Sequence, residues 1–164
     1  AITSGYFPLG AALINERIAT AFESDSSGKA AIGHGYTYSG HPVGAAAALA
    51  AIAETRRLDV VTNAAARGTQ LYDGMVSLAG QYPVVGDVRG GHGLMTAMEL
   101  VAYQEMKAPI DGKLAIKMQK AAYQAGALIR VSGPNVILSP SLVIEEADID
   151  IALNAVEEGL KAIS

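Results

Sequence analysis

His34-Gly35-Tyr36-Thr37-Tyr38-Ser39-Gly40-His41-Pro42, followed by Val43-Gly44 and an alanine-rich run to Arg57, decides how this chain reads. Proline suits a first helical position because its missing N–H and fixed φ cost nothing there, so a helix is expected over Pro42–Arg57 with Ser39 or His41 as its cap. The side chains after Gly44 are so small that other backbones can approach closely, as in a tightly packed interior or a subunit interface. Ahead of the helix stand hydroxyls on a flexible backbone. Free N–H groups and the helix dipole favour an anion at such a place, which makes a phosphate physically reasonable. The same residues also make an ordinary capped helix entry, and spacing alone favours that plainer reading.

Working outward, residues 1–15 read as a loop with a short apolar strand at Leu9–Ile14, then a helix from Asn15 to Phe22. Glu23 to Gly35 is a Ser/Gly-rich loop. Downstream, Leu58, Val61, Ala65, Gly68, Tyr72, Met75 and Ala79 recur at three- and four-residue steps, one helical face that Gly80 and Pro83 terminate. Strands are expected at Val84–Arg89 and Leu94–Val101 around Gly90-Gly91-His92-Gly93. A helix follows over Asp111–Ala125, stopped by Gly126. Ala127–Val131 and Val136–Leu138 flank the turn Ser132-Gly133-Pro134-Asn135, and a last helix runs from Glu145 to Ile163 with acidic residues in its first turn and Lys161 in its last. The part from about residue 83 onward therefore reads as a small α+β domain, and the part before the long helix as the end of a larger one.

Composition removes several classes. The 164 residues are 51% hydrophobic and 17% charged, with mean hydropathy +0.27, too apolar for a disordered chain. The longest apolar run, Val43–Ala53, falls well short of the roughly 18 residues that indicate a membrane span. Twelve basic and 16 acidic residues give a net charge of −4 without a basic cluster, so no nucleic-acid partner is expected. The absence of cysteine excludes disulfides, thiolate zinc sites and cysteine nucleophiles and fits a cytoplasmic protein. No leader pattern opens the chain, and Ala1-Ile2-Thr3-Ser4-Gly5 begins as though inside a longer protein.

His34, His41 and His92 lack metal-ligand spacing, so no metal site is expected. Gly90–Gly93 is a turn rather than a phosphate loop, because a strand follows it and no Lys-Ser/Thr pair does. Tyr6, Phe7 and Pro8 suit either a pocket wall or a loop packed on a neighbour. Arg130, near the end of an apolar strand, could grip a carboxylate in bidentate fashion. It also reads as a strand-end arginine in solvent, which its position alone favours. Arg89 invites the same two readings.

Four blocks occur in order: Ile2 through Ala11, His34 through Pro42, Gly86-Asp87-Val88-Arg89-Gly90, and Arg130 through Pro140. Together they make the whole chain resemble the class III pyridoxal-phosphate aminotransferases, in particular the ω-amino acid:pyruvate and amine:pyruvate branch. The resemblance implies an α/β fold of fold type I, with residues 1–57 ending the large cofactor-binding domain, 58–82 a linking helix and 83–164 the C-terminal α+β small domain. It implies an obligate homodimer, with a tetramer left open, and pyridoxal 5'-phosphate as cofactor. An amine or ω-amino acid would give its nitrogen, by way of the cofactor, to pyruvate or a similar keto acid.

In the family the catalytic lysine stands immediately before the residue matching Ala1, so the resemblance places no catalytic residue within this chain. It assigns Thr37, with Tyr36 beside it, to the cofactor phosphate of the opposite subunit. Arg130 matches the arginine that clamps a substrate carboxylate, although Val131 stands where some branches have proline. Arg89 is assigned a structural role between small-domain strands. The alternatives are another class III enzyme (an acetylornithine-type transaminase or an aminomutase) and a non-catalytic α+β interaction module.

Overall fold

A computed structural model describes residues 2–30, 33, 35–103 and 105–164. The chain divides into two compact units, residues 1–58 and 59–164.

The first unit contains α1 (Glu16–Glu23) and α2 (Pro42–Arg57). Asn15 caps α1, its Oδ1 accepting from the Ile18 N–H at 3.1 Å. His41, one of the two caps expected, closes α2: its Nδ1 accepts from the Val43 N–H at 3.3 Å, with Pro42 as first helical residue. The opening segment folds into a turn through Ser4 (φ 49°) and Gly5 (φ 82°). Buried Thr3 holds this turn, its hydroxyl donating to the Phe7 carbonyl at 2.5 Å and accepting from the Phe7 N–H at 3.3 Å. Leu9–Ile14 does not form the expected strand. Among the described residues no neighbouring strand takes up its N–H and C=O groups, and Leu13 is 91% exposed. A short apolar run makes a strand only where a partner completes the ladder.

The second unit is a helix-covered antiparallel sheet in the order β1 (Val85–Arg89), β2 (Thr96–Tyr103), β5 (Asn135–Leu138), β4 (Arg130–Ser132), with β3 (Ala108–Pro109) paired to β2. On it pack α3 (Val60–Ala79), α4 (Gly112–Gln124) and α5 (Glu146–Lys161). Met98, Leu100 and Val136 from the sheet meet Leu71, Met75, Met118, Ile149 and Leu160 from the helices, all fully buried. Each such side chain contributes roughly 1.5–3 kcal/mol. Local signals set the helix ends. Asp111 caps α4 by accepting from the Lys113 N–H at 2.9 Å, and Gly126 (φ 106°) ends it. Asp148 reaches back to the Glu145 N–H at 3.2 Å to open α5.

The long helix begins later and faces inward differently than its spacing suggested. Asp59 adopts a left-handed conformation (φ 46°) that interrupts the helical run, and α3 starts at Val60. Its buried residues are Val60, Gly68, Leu71, Met75 and Leu78, whereas Val61 is 73% exposed. Both sets fit a 3.6-residue period. The set that includes Val60, Leu71 and Leu78 removes more apolar surface from water than the one relying on Ala65 and Ala79, and it prevails.

Candidate functional site

Two places matter, one in each unit. In the first unit, the loop ahead of α2 is a tight turn built from its own backbone. The Tyr36 N–H donates to Ser39 Oγ at 3.0 Å and the Ser39 N–H returns to the Tyr36 carbonyl at 2.9 Å. Gly40 (φ 70°) then turns the chain so that the His41 N–H reaches the Tyr38 carbonyl at 3.2 Å. The His41 ring is held on two sides, stacked on Phe7 at 5.3 Å and tilted against Tyr38 at 5.4 Å. Phe7 in turn lies against Gly44, where a Cβ would come within 3.0 Å of its ring. Phe7 is thus a packing residue that fastens the opening block to the start of α2.

Thr37 occupies the second position of this turn and is exposed, and its hydroxyl has no hydrogen-bond partner among the described residues. Tyr36 presents its ring at 75% exposure. Of the His34–Pro42 block, His34 lies outside the described residues. No carboxylate stands between Gly33 and Val43. A hydroxyl held out by a hydrogen-bonded turn, in a stretch without acidic residues, fits a phosphate group in kind.

In the second unit Arg130 opens β4, opposite Ile137 of β5. Strand alternation sends Ile129 and Val131 toward the core and Arg130 and Ser132 to the outer face. The guanidinium makes no ion pair among the described residues. It borders a cleft of about 410 Å³ walled by Ile137, Pro140, Ile144 and Ile151, with Asp148 as the other charged lining residue.

Arg89 behaves differently. Its Nη1 donates to Glu99 Oε2 at 2.7 Å and to Asp87 Oδ2 at 3.0 Å, and its Nη2 donates to Asn135 Oδ1 at 2.5 Å. Glu99 first, then Asp87, push its already high pKa further up. Among the described residues, then, the Arg89 guanidinium is committed to its own sheet, whereas that of Arg130 is exposed. Glu99 and Asn135 were not singled out in the sequence, and only the strand register joins them to Arg89. Among the described residues no group of three or more His, Asp or Glu side chains could share a metal ion, and no helix is long and apolar enough to cross a membrane.

Comparison with known proteins gives these places a context. The family profile described as aminotransferase class-III matches residues 1–160. An amine transaminase from an uncultivated Pseudomonas species, solved in a PLP-bound form, superposes with a TM-score of 0.92 at 40% identity, over 99% of this chain and 37% of that one. The uncharacterized aminotransferase y4uB of Sinorhizobium fredii is 35% identical over 99% of this chain and 35% of its own length. A probable mitochondrial gamma-aminobutyrate transaminase 3 of rice, Oryza sativa subsp. indica, is 30% identical over 99% of this chain and 32% of its own.

The chain belongs to the class-III aminotransferases, enzymes of fold type I that use pyridoxal phosphate. It spans about a third of the length of the relatives it matches.

Proposed function

We propose that this chain is the C-terminal portion of an amine- or ω-amino acid-dependent transaminase that passes nitrogen to pyruvate or a similar keto acid. The observation that carries the reading is the superposition, along 99% of the chain, on an amine transaminase. Residues 1–57 complete the cofactor-binding domain, 58–82 lead out of it, and 83–164 form the small domain. When bound, pyridoxal 5'-phosphate supplies the electron sink for breaking bonds at the amine-bearing carbon. This chain's residues bind and orient. Thr37 offers its hydroxyl, with Tyr36 beside it, to the phosphate of the cofactor held by the second subunit of a homodimer. Arg130 offers its exposed guanidinium to the carboxylate of a keto or amino acid, and a carboxylate-free amine leaves it unused.

The test uses the full-length protein. Truncating one partner of a desolvated charge pair costs about 2–5 kcal/mol, so Arg130→Ala is expected to lower kcat/KM for pyruvate by more than about tenfold. The same variant should hold kcat/KM for 1-phenylethylamine nearly unchanged. Equal losses for both substrates would make Arg130 a structural residue. Of the two donor classes within this proposal, the rice relative favours the ω-amino acid. A donor panel of 1-phenylethylamine, β-alanine, γ-aminobutyrate and ornithine decides between them. Dominance of the carboxylate-free amine assigns the first donor class, and of γ-aminobutyrate or β-alanine the second; preference for ornithine overturns the proposal. Membership of the family displaces the free-standing interaction module that the helix and strand pattern alone allowed.

A further inference from the structure

One polar chain crosses the outer face of the sheet from β1 to the turn beyond Arg130. Asp87, Glu99, Asn135 and Ser132 occupy a single register row across β1, β2, β5 and β4. Arg89, Ala97, Ile137 and Arg130 occupy the row two residues along on the same face. From its own row Arg89 reaches back over the first, gripping Glu99, Asp87 and Asn135 together. Asn135 carries the tie onward, its Nδ2 donating to the Ser132 carbonyl at 3.4 Å. At the other side of Arg130, Gln119 of α4 donates from Nε2 to the Ile129 carbonyl at 2.7 Å. Arg130 therefore sits between two side-chain clamps on its own backbone, at Ile129 and at Ser132.

The strand that carries it needs such clamps. β4 is three residues long and pairs only with β5 among the described residues, so its ladder alone fixes little. A short edge strand whose functional side chain must meet a ligand carboxylate depends on its neighbours for position.

We infer that Arg89, acting through Asn135, positions Arg130 for a carboxylate-bearing substrate. The inference rests on the role given to Arg130 above, and it makes Arg89 and Asn135 positioning residues rather than groups that touch substrate.

Removing the Arg89 charge outright would leave Asp87 facing Glu99 across paired strands, a like-charge pair that weakens the sheet itself. Milder variants isolate the link. Arg89→Lys keeps a cation between the two carboxylates and lacks the planar fork needed to hold Asn135 as well. Asn135→Ala removes the same link from the other end. In the full-length holoenzyme each is expected to lower kcat/KM for pyruvate about tenfold. The value for 1-phenylethylamine should stay within about twofold, and the bound-cofactor absorbance should not change. The double variant should lose no more than either single one, because both cut one connection.

Equal losses for both substrates, no loss for pyruvate, or losses that multiply in the double variant would each overturn the inference. So would failure of both single variants to fold, which would assign the pair to folding alone. Arg130→Ala measured alongside keeps the two ideas apart. If it discriminates between the substrates while Arg89→Lys and Asn135→Ala do not, only the positioning role falls. If it does not discriminate, the carboxylate role of Arg130 falls and takes this inference with it.

Discussion

Thr96 turns its side chain into the core of the second unit, on the same face of β2 as Met98 and Leu100, and its fully buried hydroxyl finds no hydrogen-bond partner among the described residues. An unsatisfied buried hydroxyl costs about 1–3 kcal/mol. Thr96→Val keeps the shape and discards that cost, so it is expected to stabilise the protein by about 1 kcal/mol, read as a higher denaturant midpoint at unchanged slope. A lower midpoint would mean that the hydroxyl is satisfied.

Asp25 presents the opposite case, a half-buried carboxylate saturated with donors. The Ser27 hydroxyl at 2.6 Å, the Ala30 N–H at 2.7 Å and the Ser27 N–H at 2.9 Å hold its pKa down to about 2, against an ordinary value of 3.8. A folded pKa below the unfolded one stabilises the loop above the unfolded value and stops doing so as pH falls through the folded one. Order in residues 25–30 should therefore be complete above about pH 4 and fade between about pH 4 and pH 2, as NMR titration of Asp25 and its neighbouring amides would show. A midpoint near 3.8 would contradict the hydrogen bonding.

Among the elements, glycine decides how closely helices approach their neighbours. A Cβ on Gly68 of α3 would run into the carbonyl of Gly93, and one on Gly159 of α5 would lie 2.8 Å from Met118 Cγ and 3.0 Å from its carbonyl. Gly112, at the start of α4, has nothing within 4 Å. The same substitution should therefore have opposite signs. Gly68→Ala is expected to cost about 2–3 kcal/mol through overpacking, and Gly112→Ala to gain about 0.5 kcal/mol from a less flexible unfolded chain. Thermal unfolding of the two variants checks both, and a harmless Gly68→Ala would contradict the close packing of α3 on the glycine turn.

Much at this scale was legible because its signals are local. Pro42 after His41, Asp111 before Gly112, and Gly126 after Ala125 mark the ends of α2 and α4 within a few residues, and acidic residues in its first turn with Lys161 in its last mark α5. What stayed hidden depends on distant partners. The inward face of α3 was set by bulk facing the sheet, which a stripe of Ala and Gly does not reveal. The two residues of β3 carry no periodicity of their own. The link from Arg89 to Asn135 joins residues 46 apart and exists only because β1, β2 and β5 lie side by side. The Thr37 turn could be read in advance because its hydroxyls, glycines and proline are contiguous.

For the molecule as a whole, each unit carries one half of the proposed chemistry. The first presents Thr37 from a turn braced by Ser39 and by the Phe7–His41 stack. The second presents Arg130 from a hairpin clamped at Ile129 and Ser132. Family membership brings pyridoxal phosphate, and the role proposed for Thr37 toward its phosphate is the part of the account most directly open to measurement. A hydrogen bond to a charged phosphate is worth about 1.5–3 kcal/mol. In the full-length protein, equilibrium dialysis of pyridoxal 5'-phosphate from the Thr37→Ala variant should therefore give a Kd about 10- to 100-fold above that of the parent, at unchanged circular dichroism. An unchanged Kd would contradict the assignment of this turn to the cofactor.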